Sequence, residues 1–149
     1  MLMKGTTHLL AGILLGLVLP SQYRFLTLAL ATLGSLLPDI DTMSKISNSA
    51  MRIPFIKHRG LTHALWIPLL LLLVALKYYS SDINIIILPL LLGILSHIVL
   101  DCMTPSGIRL LYPFELFHIR GNFKSGGLKE FFFQLILCIL IMAIVLLKL

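Results

Sequence analysis

Charge is scarce in this chain. Only 12% of its 149 residues are charged, and the six acids are outnumbered by twelve lysines and arginines. A water-soluble domain carries about twice that charged fraction, so an ordinary solvated surface is excluded. The two cysteines, Cys102 and Cys138, lie in or beside different apolar runs. They offer no paired framework, and structural thiols are expected rather than a disulfide or a metal thiolate. No small-x-small cleavage site follows the first apolar run, where Leu19-Pro20-Ser21 reads as a turn, so that run is expected to stay rather than leave as a signal peptide. Internal repeats and low-complexity tracts are absent as well.

Apolar sequence is what remains. Hydrophobic residues make up 58% of the chain and fall in long runs rather than in a periodic pattern. Five runs can be read, at about residues 8–19, 25–37, 61–79, 83–100 and 128–147. A lipid-exposed backbone must satisfy its own hydrogen bonds, so all five are expected to be helical. The expected fold is a single all-α integral membrane domain over residues 1–149, a bundle of about five transmembrane helices. The first two runs fall short of the roughly 20 residues that span a bilayer, which leaves tilted spans or a short helical hairpin for that pair.

With five crossings, one side of the membrane receives Lys4, Lys45, Arg52, Lys57, Arg59, Arg109, Arg120, Lys124 and Lys129, and the other receives Arg24, Lys77 and Lys148. The richer side is cytoplasmic by the positive-inside rule, which places the chain in a prokaryotic plasma (inner) membrane with its N-terminus inside. A net charge of +6 would suggest nucleic acid in a soluble protein, but here the basic residues set topology and no nucleic-acid partner is expected. The same map sends His8, Asp39, Asp41, His58, His63, His97 and Asp101 to the cytoplasmic helix ends. These include three of the four aspartates and four of the five histidines.

Several short motifs carry this set. In GILSHIVLD, His97 and Asp101 stand four residues apart, so one helical face presents both. They can share a divalent ion or simply a hydrogen bond. LPDIDT places Asp39 and Asp41 after Pro38, where a turn can direct both carboxylates toward one ion. Asp39, Asp41 and Asp101 all fall at helix C-termini, where the macrodipole disfavours an anion by about 0.3–1 kcal/mol and a cation is wanted. A metal meets that need; Lys57 and Arg59 also meet it, but salt bridging leaves the histidines without an account.

KHRGLTH puts His58 on a loop, Gly60 in a tight turn, Thr62 near the start of the third helix and His63 one turn into that helix. Arg59 can grip an anionic oxygen with its planar fork or anchor to a lipid headgroup. His8 lies in a first helical turn, where the dipole favours the neutral, ligand-competent ring. Glycines share the helical faces of the imidazoles, as in His8, Gly12, Gly16 and in Gly93, His97. Small residues allow close helix packing in a bilayer. With Gly34, they imply a core of segments one to four and an outer fifth helix. The loop at residues 104–127 reads as an ordered interfacial cap.

Taken in order between Thr7 and Phe114, THLLAGILLG, LLPDIDT, KHRGLTHALW and GILSHIVLDCMTPSGIRLLYPF resemble the small prokaryotic membrane proteins described as membrane-bound metal-dependent hydrolases, some of them LexA-regulated in enteric bacteria. That family is distantly similar to zinc-dependent phospholipase C and P1 nuclease. The resemblance implies that His8, Asp39, Asp41, His58, His63, His97 and Asp101 are metal-binding positions, with Arg59, Gly60, Thr62, Thr104 and Gly107 around them. The chain departs from the soluble enzymes in lacking a further H-x-x-x-E pair, since Glu115 and Glu130 are its only glutamates.

The expected function is therefore a membrane-bound hydrolase that cleaves a phosphoester of a lipid or other amphiphile with metal-activated water. Zinc is favoured by the histidine-rich donor set, manganese is the second candidate, and one or two ions fit the number of ligands. In this reading Asp41 binds the ion or orients the water, Arg59 stabilises charge developing on the substrate, and Lys57, Arg59 and Arg109 contact the substrate. A metal transporter or sensor, and a non-enzymatic scaffold clamped by a structural metal, are the competing classes. The outer halves of the helices lack the polar residues that an ion path needs.

Overall fold

A computed structural model describes residues 3–39, 61–79, 82–114 and 117–148. Among the described residues there are five α-helices: α1 (Gly5–Val18), α2 (Arg24–Leu36), α3 (Trp66–Lys77), α4 (Asn84–Cys102) and α5 (Leu128–Lys148). Two 3-10 turns, Leu37–Asp39 and Leu61–His63, extend α2 and precede α3. The expected all-α class holds, apart from a two-stranded ribbon in the loop after α4. There β1 (Ile108–Arg109) pairs antiparallel with β2 (His118–Ile119), Ile108 opposite Ile119.

The third apolar run behaves differently from its expectation. His63 is not one turn into a helix but sits in the 3-10 turn, and α3 begins only at Trp66. Pro68 supplies the reason. A helix continuous from residue 61 would need a Pro68 N–H to bond the carbonyl of Ala64, and the ring would clash there. Starting at Trp66 places the proline in the first turn, where amides have no intrahelical partner anyway.

Close approach of backbones organises the core. α2 lies against both α1 and α4, and α1 also touches α4. A Cβ on Gly12 would stand 2.8 Å from the Thr32 Cα, and one on Gly93 would stand 2.9 Å from the Ser35 amide nitrogen. Only glycine permits these crossings. The core is thus α1, α2 and α4. Contrary to expectation, α3 is peripheral and packs on α4, having no glycine with which to enter a tight crossing.

α5 lies outside the core as expected, along α1. The backbone N–H of Lys4 and the Thr7 hydroxyl bond Glu130 at one end, and Lys148 donates to the Leu17 carbonyl at the other, so the two helices run parallel. Only Glu130 and Leu137 of α5 are buried. α4 and α5 are each long and apolar enough to cross a membrane; α1, α2 and α3 have 14, 13 and 12 residues.

Candidate metal centre

The start of α1, the end of α2, the turn before α3 and the end of α4 meet in one place. His8 comes from the first turn of α1, Asp39 from the 3-10 turn after α2, His63 from the turn before α3, and His97 and Asp101 from one face of α4. Every one except Asp39 is buried; the Asp39 side chain keeps 25% of its exposure.

His97 is oriented by the main chain. Its Nδ1 donates to the Ser35 carbonyl at 2.7 Å, which leaves the Nε2 lone pair facing inward. Gly93 lies one helical turn earlier on α4, against Ser35 and Gly34, so the glycine crossing brings that carbonyl within reach. His63 is held similarly: its Nδ1 meets the Thr62 hydroxyl at 3.0 Å, and its Nε2 faces the Nε2 of His97 at 3.3 Å. Metal-binding imidazoles characteristically use the second ring nitrogen in this way.

The remaining separations are diagnostic. Nε2 of His63 is 3.7 Å from Asp39 Oδ1 and 3.8 Å from Asp101 Oδ2. Nε2 of His97 is 3.7 Å and 3.9 Å from the same two oxygens, and Nε2 of His8 is 3.5 Å from Asp101 Oδ1. These exceed direct N–H···O hydrogen bonds. They are close to the spacing of donors around one ion: two ligands each about 2.0–2.1 Å from a tetrahedral zinc stand roughly 3.3–3.4 Å apart. Two overlapping triads could each hold an ion, His8 with His97 and Asp101, and Asp39 with His63 and His97.

His8 gives the clearest indication that something is to be bound. It is buried, its ring stacks on His97 at 3.8 Å between centroids, and neither ring nitrogen has a hydrogen-bond partner among the described residues. A buried donor or acceptor left unmade is destabilising by about 1–3 kcal/mol. At the open edge, burial pushes the Asp39 carboxyl up, but the nearby His63 imidazole and the fields of His97 and His8 outweigh it and hold the group below its ordinary value.

Of the seven ligand positions expected from sequence, His8, Asp39, His63, His97 and Asp101 are brought together. Asp41 and His58 lie outside the described residues, as do Lys57 and Arg59. Thr62 touches His63 as expected. Thr104 is buried and its hydroxyl bonds the main-chain carbonyl of Asp101 at 2.8 Å, not the carboxylate, so it closes the end of α4. Arg109 lies on β1, half-buried and paired with His118, and is not one of the five.

The cap does more than cover. Ile108 packs against Ile94 and Ile98 of α4, while the Leu110 carbonyl accepts from Leu65 N at 2.9 Å, next to the His63 turn. It fixes α3's entry relative to α4. Sequence reasoning missed the Ser35 carbonyl and Glu130. A main-chain acceptor leaves no mark in sequence, and Glu130 acts on residues more than 120 positions away.

Fold and site together define a helical membrane protein whose converging apolar helices bury a set of imidazoles and carboxylates with metal-ligand spacing. The chain belongs to the YdjM inner membrane protein family, whose model matches residues 3–148. It is similar to YvsG of Bacillus subtilis (strain 168), described as an uncharacterized protein, at 33% identity over 151 residues, covering 95% of this chain and 91% of that one. YfhP of the same organism, described likewise, is 31% identical over 126 residues, covering 76% of this chain and 38% of its own length. No solved structure matches the chain.

Proposed function

We propose that the protein is a metal-dependent hydrolase of the inner membrane that holds a divalent ion, zinc by its donor set, and cleaves a phosphoester of an amphiphilic substrate. The observation that carries the reading is the group of five donors, four of them buried, that forms two overlapping triads with spacing suited to an ion, neither ring nitrogen of His8 being hydrogen-bonded among the described residues. Such an ion supplies Lewis acidity, acidifying water and polarising a phosphoryl oxygen.

The chain's own residues do the rest. Ser35 and Thr62 orient His97 and His63, and the packed helix ends exclude bulk water from four of the five ligands. Asp39 borders the solvent-accessible edge, which suits a catalytic site because such sites keep one coordination position open. Asp41 and His58 would complete the ligand set, with Asp41 either binding the ion or orienting the attacking water, and Arg59, with Lys57 and Arg109, would receive the anionic substrate.

We place all five helices across the bilayer with this site at the cytoplasmic face. Support comes from the alternating directions of successive helices, which gather the ligands at one end, and from the excess of basic residues at that end. The shorter helices suit a locally thinned bilayer.

The test is hydrolysis of a chromogenic phosphodiester and of phospholipid by the purified protein in detergent. Activity is expected to vanish on chelation, to return with zinc or manganese, and to be absent from His97→Ala. Hydrolysis that survives in His97→Ala refutes the assignment. Metal-dependent thermal stability without hydrolysis assigns the ion a structural role instead.

A further inference from the structure

Resting on the metal site proposed above, the geometry points to Glu130 as the positioning residue for His8. The three histidines are not held alike. His97 and His63 each have Nδ1 engaged, by the Ser35 carbonyl and the Thr62 hydroxyl, whereas neither nitrogen of His8 is hydrogen-bonded among the described residues. Its ring must therefore be placed by its backbone and by stacking on His97.

That backbone is held by α5. α1 starts without a capping side chain of its own, since Lys4 offers none. The buried Glu130 carboxylate takes over: Oε1 accepts from Lys4 N at 2.8 Å and from the Thr7 hydroxyl at 2.8 Å, and Oε2 accepts from the Gly126 amide in the turn before α5. One carboxylate thereby caps two parallel helices, where both macrodipoles favour an anion. Gln134 adds bonds to the Thr6 and Thr7 hydroxyls at 2.9 and 2.8 Å. Thr7 directly precedes His8, so an outer helix with only Glu130 and Leu137 buried sets the register of a ligand it does not carry. Glu130 is a positioning residue rather than a ligand.

A double-mutant cycle tests this in the purified full-length protein, with zinc affinity measured by competition against a chelating dye. Glu130→Gln, and separately Thr7→Val, should each weaken zinc binding by about tenfold or more, as loss of a ligand's support does. In a His8→Ala background the same changes should have less than about a twofold effect, because the positions are coupled. Lys148→Met, which loosens the far end of the same helix pair, should leave affinity unchanged. Wild-type affinity in both Glu130→Gln and Thr7→Val, or equal losses with and without His8, overturns the inference. The metal-free protein separates it from the hydrolase reading: the ring NMR signal of His8, assigned by its loss in His8→Ala, should move in Glu130→Gln. If wild-type protein binds no zinc, the metal reading fails, and an unmoved His8 signal overturns the positioning role on its own.

Discussion

At the scale of single residues, the site depends on which atom of each side chain is committed elsewhere. His97 and His63 both use Nδ1 outward and Nε2 inward, so two lone pairs would oppose each other at 3.3 Å unless a proton or a cation lies between them. Thr62→Val removes the partner that orients His63. It is expected to lower zinc affinity by about 10- to 100-fold while leaving the melting temperature of the metal-free protein nearly unchanged, as read by dye competition and calorimetry. Asp39 gives a pH prediction. Its folded value lies below the ordinary carboxylate value of about 3.9, so the stability it adds is fully present above that pH and is lost as pH falls through the lower folded value. Metal-free Asp39→Asn should therefore lose less stability than wild type as pH falls below about 4, by denaturant titration.

At the scale of elements, packing decides where the ligands arrive. The α2–α4 crossing at Gly34 and Gly93 carries the Ser35 carbonyl to His97, so overfilling it should damage both fold and site. Gly93→Leu is expected to destabilise by about 1–3 kcal/mol and to abolish zinc binding, whereas Gly5→Ala, where an added Cβ meets nothing within 4 Å, should bind zinc like wild type. Equal behaviour of the two variants would separate the crossing from the site. The helices were legible in the sequence because apolar runs in a bilayer admit no other backbone, and His8, Asp39, His63, His97 and Asp101 were legible because polar residues sorted to one set of helix ends. The late start of α3 was obscured because the apolar run passes through Pro68 without a break in hydropathy. The peripheral place of α3 could have been read from its want of glycines. The Glu130 clamp could not, since it joins the two ends of the chain.

At the scale of the molecule, four helix ends meet at one pole while the exposed residues of α3 and α5 present an almost unbroken apolar surface. That division suits a protein whose sides face lipid and whose chemistry lies near the headgroups. The proposed topology can be checked by labelling. In a Cys102→Ser, Cys138→Ser background, Lys77→Cys at the end of α3 should react with an impermeant maleimide added to intact cells, and Lys124→Cys in the cap should react only after lysis. The reverse pattern would place the site outside.

The central claim is that His8, Asp39, His63, His97 and Asp101 hold divalent metal, through the triad of His8, His97 and Asp101, the triad of Asp39, His63 and His97, or both. Diffraction from zinc-loaded crystals on the two sides of the zinc absorption edge tests it most directly. The account predicts an anomalous peak among these five side chains, with ligand distances of about 2.0–2.2 Å. Protein equilibrated with excess zinc that shows the five side chains in place and no such peak would contradict it.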